Sequence, residues 1–219
     1  MLKRAVLDEK KHTSSRLRPY VIMRYMKRVI IVHCWGGTPD YCWYPWAKKE
    51  LEAKGFQVTV PAMPETDEPK LAAWLPQLAQ AIGTPDEETY LVGHSLGCPT
   101  IMRYLEQLPD GVRVGGVIFV AGFDNDLGFE ELKNFFQTPL NLSQIRPKAA
   151  RGFYNLHSDN DQYVPVENSK NLQAGLGGEA VILHNMGHFS GPVDNEASCT
   201  ELPEAITAVE QLSKGGEAI

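Results

Sequence analysis

Short runs of uninterrupted apolar residues alternate with longer amphipathic stretches from Arg28 onward, and the spacing predicts strands joined by helices. Val29–Val32, Gln57–Val60, Thr89–Val92, Val114–Val120, Phe153–His157 and Ala180–His184 read as six strands. Helices are expected at Trp43–Lys54, closed by Gly55, and at Pro69–Ile82, interrupted or begun late at Pro76. Others are expected from Cys98, at Pro165–Ala174 and at Pro203–Leu212. Val114–Val120 is apolar throughout rather than alternating, which fits a parallel strand covered on both faces. The pattern therefore predicts an α/β fold, with a mostly parallel, six-stranded, doubly wound sheet and helices on both faces. In such sheets chemistry gathers just beyond the carboxyl ends of the strands.

A chain of 219 residues, 43% hydrophobic, suits one domain with a sizeable core, read as 28–214. Charge divides unevenly along it. Residues 1–28 hold nine Lys/Arg against Asp8 and Glu9, a net of +7, while the remainder carries twelve basic and 25 acidic residues. The acidic body argues against nucleic acid as a partner. Residues 1–27 read as a disordered or vector-derived extension, with Met23 or Met26 near the natural start, and 215–219 as a tail. No run of about 18 apolar residues appears, so no membrane span is expected. Cys34, Cys42, Cys98 and Cys199 lack metal-ligand spacing and read as free thiols of a cytoplasmic protein, with no metal.

One strand-to-helix junction changes the picture. Gly93-His94-Ser95-Leu96-Gly97 has the form G-x-S-x-G, follows the third strand, and precedes a helix with Pro99 in its first turn. A serine on such a turn presents its hydroxyl above the sheet, and side chains at the flanking glycines would collide with the neighbouring strand and helix. Ser95 then needs a base. Of six histidines, His188 stands out, in the loop Asn185-Met186-Gly187-His188-Phe189 just past the last strand. His157 and His184 read as satisfied core or edge residues. The base in turn needs an acid, and the loop Ser158-Asp159-Asn160-Asp161 offers two that spacing separates only weakly. Asp124 and Asp126 read as caps of a helix beginning near Gly128. The order serine, acid, histidine is that of the α/β-hydrolase arrangement. Its oxyanion donors are the backbone N–H of Leu96 and, from the first-strand loop, that of Trp35. His33, Trp43 and Phe123 are candidate pocket residues. Phe129, Phe135 and Phe136 are expected to bury into the sheet rather than form a lid.

The body, Val29 to about Leu212, resembles the small serine hydrolases related to retinoblastoma-binding protein 9 and the bacterial YdeN-type proteins. The matching residues are Trp43-Tyr44-Pro45-Trp46, Lys48-Lys49-Glu50-Leu51, the Gly93–Gly97 motif, Ser158-Asp159-Asn160-Asp161 with Val164-Pro165, and Gly187-His188-Phe189. The resemblance implies a minimal α/β-hydrolase fold with no large cap domain and no cofactor. It places the acid on Asp161, within D-x-x-V/L-P. The chain departs from many relatives at Cys34, where they carry glycine after the first-strand histidine. The expectation is a serine hydrolase cleaving a small carboxylic ester, thioester or amide through an acyl-enzyme with Ser95, Asp161 and His188. The alternatives are a non-catalytic protein-binding module on the same fold and an acyltransferase using the same triad. The partner is a small acyl substrate, and the oligomeric state is left open.

Overall fold

Six apolar segments pair side by side in the order β2-β1-β3-β4-β5-β6, and every pairing is parallel. In this computed structural model, which describes residues 26–191 and 199–215, they are β1 Arg28–Val32, β2 Gln57–Thr59, β3 Thr89–His94, β4 Gly116–Val120, β5 Phe153–Ser158 and β6 Glu179–Leu183. The central strands β3, β4 and β5 are buried at every position, whereas the edge strands β2 and β6 show outward-facing exposed residues. That is the burial expected when helices cover both faces of a parallel sheet.

The helices divide into two layers. Helices α1 (Tyr44–Ala53) and α6 (Pro203–Lys214) pack together, while α2 (Leu71–Ile82), α3 (Gly97–Glu106), α4 (Leu142–Ile145) and α5 (Glu167–Leu176) follow one another across the other face. Helix α2 buries Trp74, Leu78 and Ile82, one residue per turn. It runs through Pro76 without interruption, contrary to the sequence expectation. Pro76 lies on the exposed side, as does Ala72, so the carbonyl that loses its helical donor is not sealed in the core. Strand β4 begins two residues late, because Val114 makes only an isolated bridge to Ala149.

No cap domain is present among the described residues. The chain between β4 and β5 forms turns, 3-10 segments at Glu130–Phe135 and Arg146–Lys148, and the single-turn helix α4. Arg103 of α3, almost fully buried, ties this excursion down by donating from Nε to the Phe135 carbonyl at 2.9 Å and from Nη2 to the Thr138 carbonyl. No helix among the described residues is long and apolar enough to cross a membrane. Residues 1–25 and 216–219, most of the two expected terminal segments, lie outside the described residues.

Candidate active site

Ser95 sits between β3 and α3 with a φ of 52°, a left-handed conformation that costs a non-glycine residue about 1–3 kcal/mol. The surroundings enforce it. A Cβ on Gly93 would lie 2.8 Å from the Cys98 nitrogen, and one on Gly97 would lie 2.2 Å from the Val32 carbonyl oxygen. The chain therefore turns sharply against β1 and α3, and Ser95 N–H donates to the Val120 carbonyl at 2.9 Å. The hydroxyl is left at the carboxyl end of the sheet, beside the first turn of α3.

His188 faces that hydroxyl. Its Nε2 lies 2.8 Å from Ser95 Oγ, and its Nδ1 lies 2.8 Å from Asp161 Oδ2. A carboxylate accepts only, so Nδ1–H donates to Asp161 and Nε2 is free to accept the serine proton. The Asp161 carboxylate is 1% exposed, and its Oδ1 also receives the backbone N–H groups of Tyr163 and Val164 at 2.9 and 3.0 Å. The two loops are joined step by step. Asp159 Oδ1 accepts from Asn185 N–H at 2.9 Å, Ser158 Oγ from Met186 N–H at 3.0 Å, and Asn160 Oδ1 from Gly187 N–H at 2.8 Å. This geometry separates the two aspartates: Asp161 meets the imidazole, while Asp159 caps the backbone and pairs with the exposed His184. The Asn185 N–H bond, more than His184, holds the Asp159 carboxyl below its ordinary range.

A cavity of about 430 Å³ opens in front of Ser95 and His188. Trp35, Leu96, Phe123, Leu127, Phe129 and Val164 give it an apolar wall, with Glu131 contributing a carboxylate. The backbone N–H groups of Leu96 and Trp35 bond no protein acceptor among the described residues, and both residues line this cavity. The Trp35 indole is fixed by donation to the Asp67 carbonyl at 3.0 Å. Cys34 is 5% exposed and lines the cavity. Among the described residues no group of three or more His, Cys, Asp or Glu side chains is arranged to hold a metal ion.

Two expected pocket residues lie elsewhere. His33 is fully buried, with Nε2 accepting from Met63 N–H and its ring edge-on to Trp74. Trp43 is equally buried, packed against Tyr44 and His94. Both residues point into the layers that cover the sheet, so they shape the site only from behind. Phe123 does line the cavity, backed by Phe136. Phe135 packs into the core against Trp74 as expected, but Phe129 is 40% exposed at the cavity wall. Asp126 accepts from Gly128 N–H in a local turn and caps no helix, because the following segment is 3-10 and starts only at Glu130. His157 is buried but not satisfied: its Nε2 has no partner among the described residues, and burial lowers its pKa to about 4.

Sequence reasoning passed over the side chains that hold the loops in place. Ser158 and Asn160 stood in the quoted motif, yet their partners lie 27 or 28 residues away. Buried Arg103 carried one available signal, a charge that interrupts the otherwise uncharged run Cys98–Leu105.

The serine hydrolase family model matches residues 29–211. Putative hydrolase YdeN of Bacillus subtilis (strain 168) is 37% identical over 164 residues, spanning 74% of this chain and 86% of YdeN. Serine hydrolase RBBP9 of Rattus norvegicus is 27% identical over 190 residues, spanning 85% of this chain and 95% of its own. The crystal structure of the ydeN gene product from B. subtilis superposes with a TM-score of 0.79 and 34% identity, covering 85% of this chain and 98% of that one. The likeness read from the motifs is borne out over nearly the whole body.

Proposed function

Because this chain belongs to the serine hydrolase family, we propose that it cleaves a small carboxylic ester, thioester or amide through a Ser95 acyl-enzyme. One observation carries the reading: Ser95 Oγ, His188 and Asp161 form a continuous hydrogen-bonded line with 2.8 Å at each step, beside an apolar cavity. Ser95 Oγ attacks the substrate carbonyl carbon while His188 Nε2 takes its proton. Asp161 keeps the proton of His188 on Nδ1 and stabilises the imidazolium. The N–H groups of Leu96 and Trp35 receive the carbonyl oxygen as it becomes an oxyanion, each contributing about 3 kcal/mol to barrier reduction. The imidazolium then protonates the departing alcohol, thiol or amine. Water, deprotonated by the same nitrogen, releases the acid and restores Ser95.

The wall formed by Phe123, Leu127 and Phe129 suits a small apolar or aromatic acyl group. None of the four cysteines is held in a disulfide, in keeping with a protein of the cytoplasm. A fluorophosphonate probe tests the mechanism. Wild type is expected to label and Ser95→Ala to stay unlabelled, and equal labelling of the two sinks it. A panel of p-nitrophenyl esters from short to long chains, with peptide amides alongside, ranks the acyl groups.

A further inference from the structure

Behind the proposed catalytic residues lies a buried hydrogen-bond chain that the mechanism above does not use. Tyr44, the first residue of α1, accepts from the Cys34 backbone N–H at 3.1 Å through its hydroxyl oxygen. The same hydroxyl stands 2.6 Å from His94 Nδ1, and His94 Nε2 stands 2.8 Å from the His188 carbonyl oxygen. Tyr44 and His94 are both 0% exposed. A carbonyl only accepts, so Nε2 must carry the His94 proton. The Tyr44 O–H then donates to the bare Nδ1, and its oxygen lone pairs remain for Cys34 N–H. One tautomer of one neutral imidazole satisfies all three bonds. The Cys34 and Cys42 side chains also hydrogen-bond with the Tyr44 hydroxyl. Burial, with His188 adding to it, pushes the His94 pKa down to about 3, so the ring stays neutral under ordinary conditions.

The chain has two ends, and both belong to the site. Cys34 precedes Trp35 in the loop that supplies the second oxyanion donor, and the far end is the backbone of the base itself. We propose that Tyr44 and His94 are positioning residues that lock the oxyanion turn and the His188 loop to one another across the nucleophile elbow. The proposal rests on the assignment of Ser95, His188 and the Trp35 N–H given above. The residue before the nucleophile is then not a free position of the G-x-S-x-G motif in this chain, because it must donate at one end and accept at the other. Packing alone does not require this. The rings of Trp43, Tyr44, His94 and His188 meet edge-on or tilted, and phenylalanine at position 44 would preserve those contacts.

Tyr44→Phe in the full chain is therefore the decisive variant, since it removes one oxygen and leaves the ring. On a p-nitrophenyl ester that wild type turns over, it should lower kcat about 10- to 100-fold with KM within about twofold. His94→Phe should fall as far, the double variant no further than the worse single, and His94→Gln should recover part of the loss by donating an amide N–H to the His188 carbonyl. Nuclear magnetic resonance on 15N-histidine-labelled protein supplies a readout free of substrate. Wild type should show His94 protonated on Nε2 only, and the downfield Nδ1–H of His188 should exchange faster in Tyr44→Phe. A kcat within twofold of wild type in Tyr44→Phe, or His94 protonated on Nδ1, overturns the proposal. If wild type fails to label with fluorophosphonate, the hydrolase mechanism falls, and the tautomer and exchange measurements still decide the chain.

Discussion

The nucleophile elbow and the acid–base loops meet within hydrogen-bonding distance, yet they are held by different physics. Around Ser95 the constraint is steric and local: Gly93 and Gly97 admit no Cβ, and β3 and α3 bury almost every neighbouring side chain. Around His188 it is polar and distant in sequence. Four successive residues, Ser158 to Asp161, bond four others, Asn185 to His188, through side chains at the margin of the sheet. The elbow should therefore fail by overpacking, with loss of fold. The loops should fail by loss of single bonds, with the fold retained and the chemistry impaired.

The sharpest break in the loops is Asp161→Asn. An amide in place of the carboxylate favours the wrong imidazole tautomer, so kcat should fall about 10⁴-fold with little change in melting temperature. Asp159→Asn, which keeps an oxygen for Asn185 N–H, should stay within a few-fold, and steady-state kinetics on an activated ester compare the two. In the elbow, Gly97→Ala drives a methyl group against the Val32 carbonyl and should cost about 3 kcal/mol or more. Chemical denaturation checks this, and an unchanged midpoint would undo the steric account. Asn160→Ala removes the acceptor of Gly187 N–H. It should cost only about 1–2 kcal/mol in stability and lower kcat about tenfold through a displaced His188.

The smallest expected effect at neutral pH lies just behind the loops. His157 is buried neutral, with its pKa lowered from 6.5 to about 4 chiefly by desolvation, while Asp161 opposes the shift. The unfolded chain binds this proton more readily, so the stabilising contribution is complete above about pH 6.5. It is lost as the pH falls toward 4. His157→Leu should therefore raise stability by about 2 kcal/mol at pH 4.5 and alter it little at pH 7. Denaturant midpoints at the two pH values give the comparison. Some acid sensitivity should remain, because His33 and His94 are also buried with lowered pKa values.

Legibility follows the same division. The elbow was readable because its constraint is written in adjacent residues: a β-branched strand, two glycines and an early helical proline. His188 was readable because a loop just past a strand end has only one place to go in a parallel sheet. Asp159 and Asp161 stayed tied on spacing, since two residues of loop separate them and only the packed partner tells them apart. His33 and Trp43 were misjudged for a related reason. A residue near a strand's carboxyl end can turn toward the cleft or into a covering layer, and here Met63, Trp74, Tyr44 and His94 drew both inward.

The sequence by itself determined the parallel α/β architecture, the turn that strains Ser95, and the order in which Ser95, the Asp159–Asp161 loop and His188 follow their strands. These depend on apolar periodicity and on backbone sterics, which act between near neighbours. Only the tertiary structure decided which aspartate meets His188, which aromatics wall the cavity, and that His94 and Tyr44 bridge the Cys34 backbone to that of His188. Those outcomes depend on hydrogen bonds and ring contacts between residues tens of positions apart, whose directions exist only once the sheet has set its strands side by side.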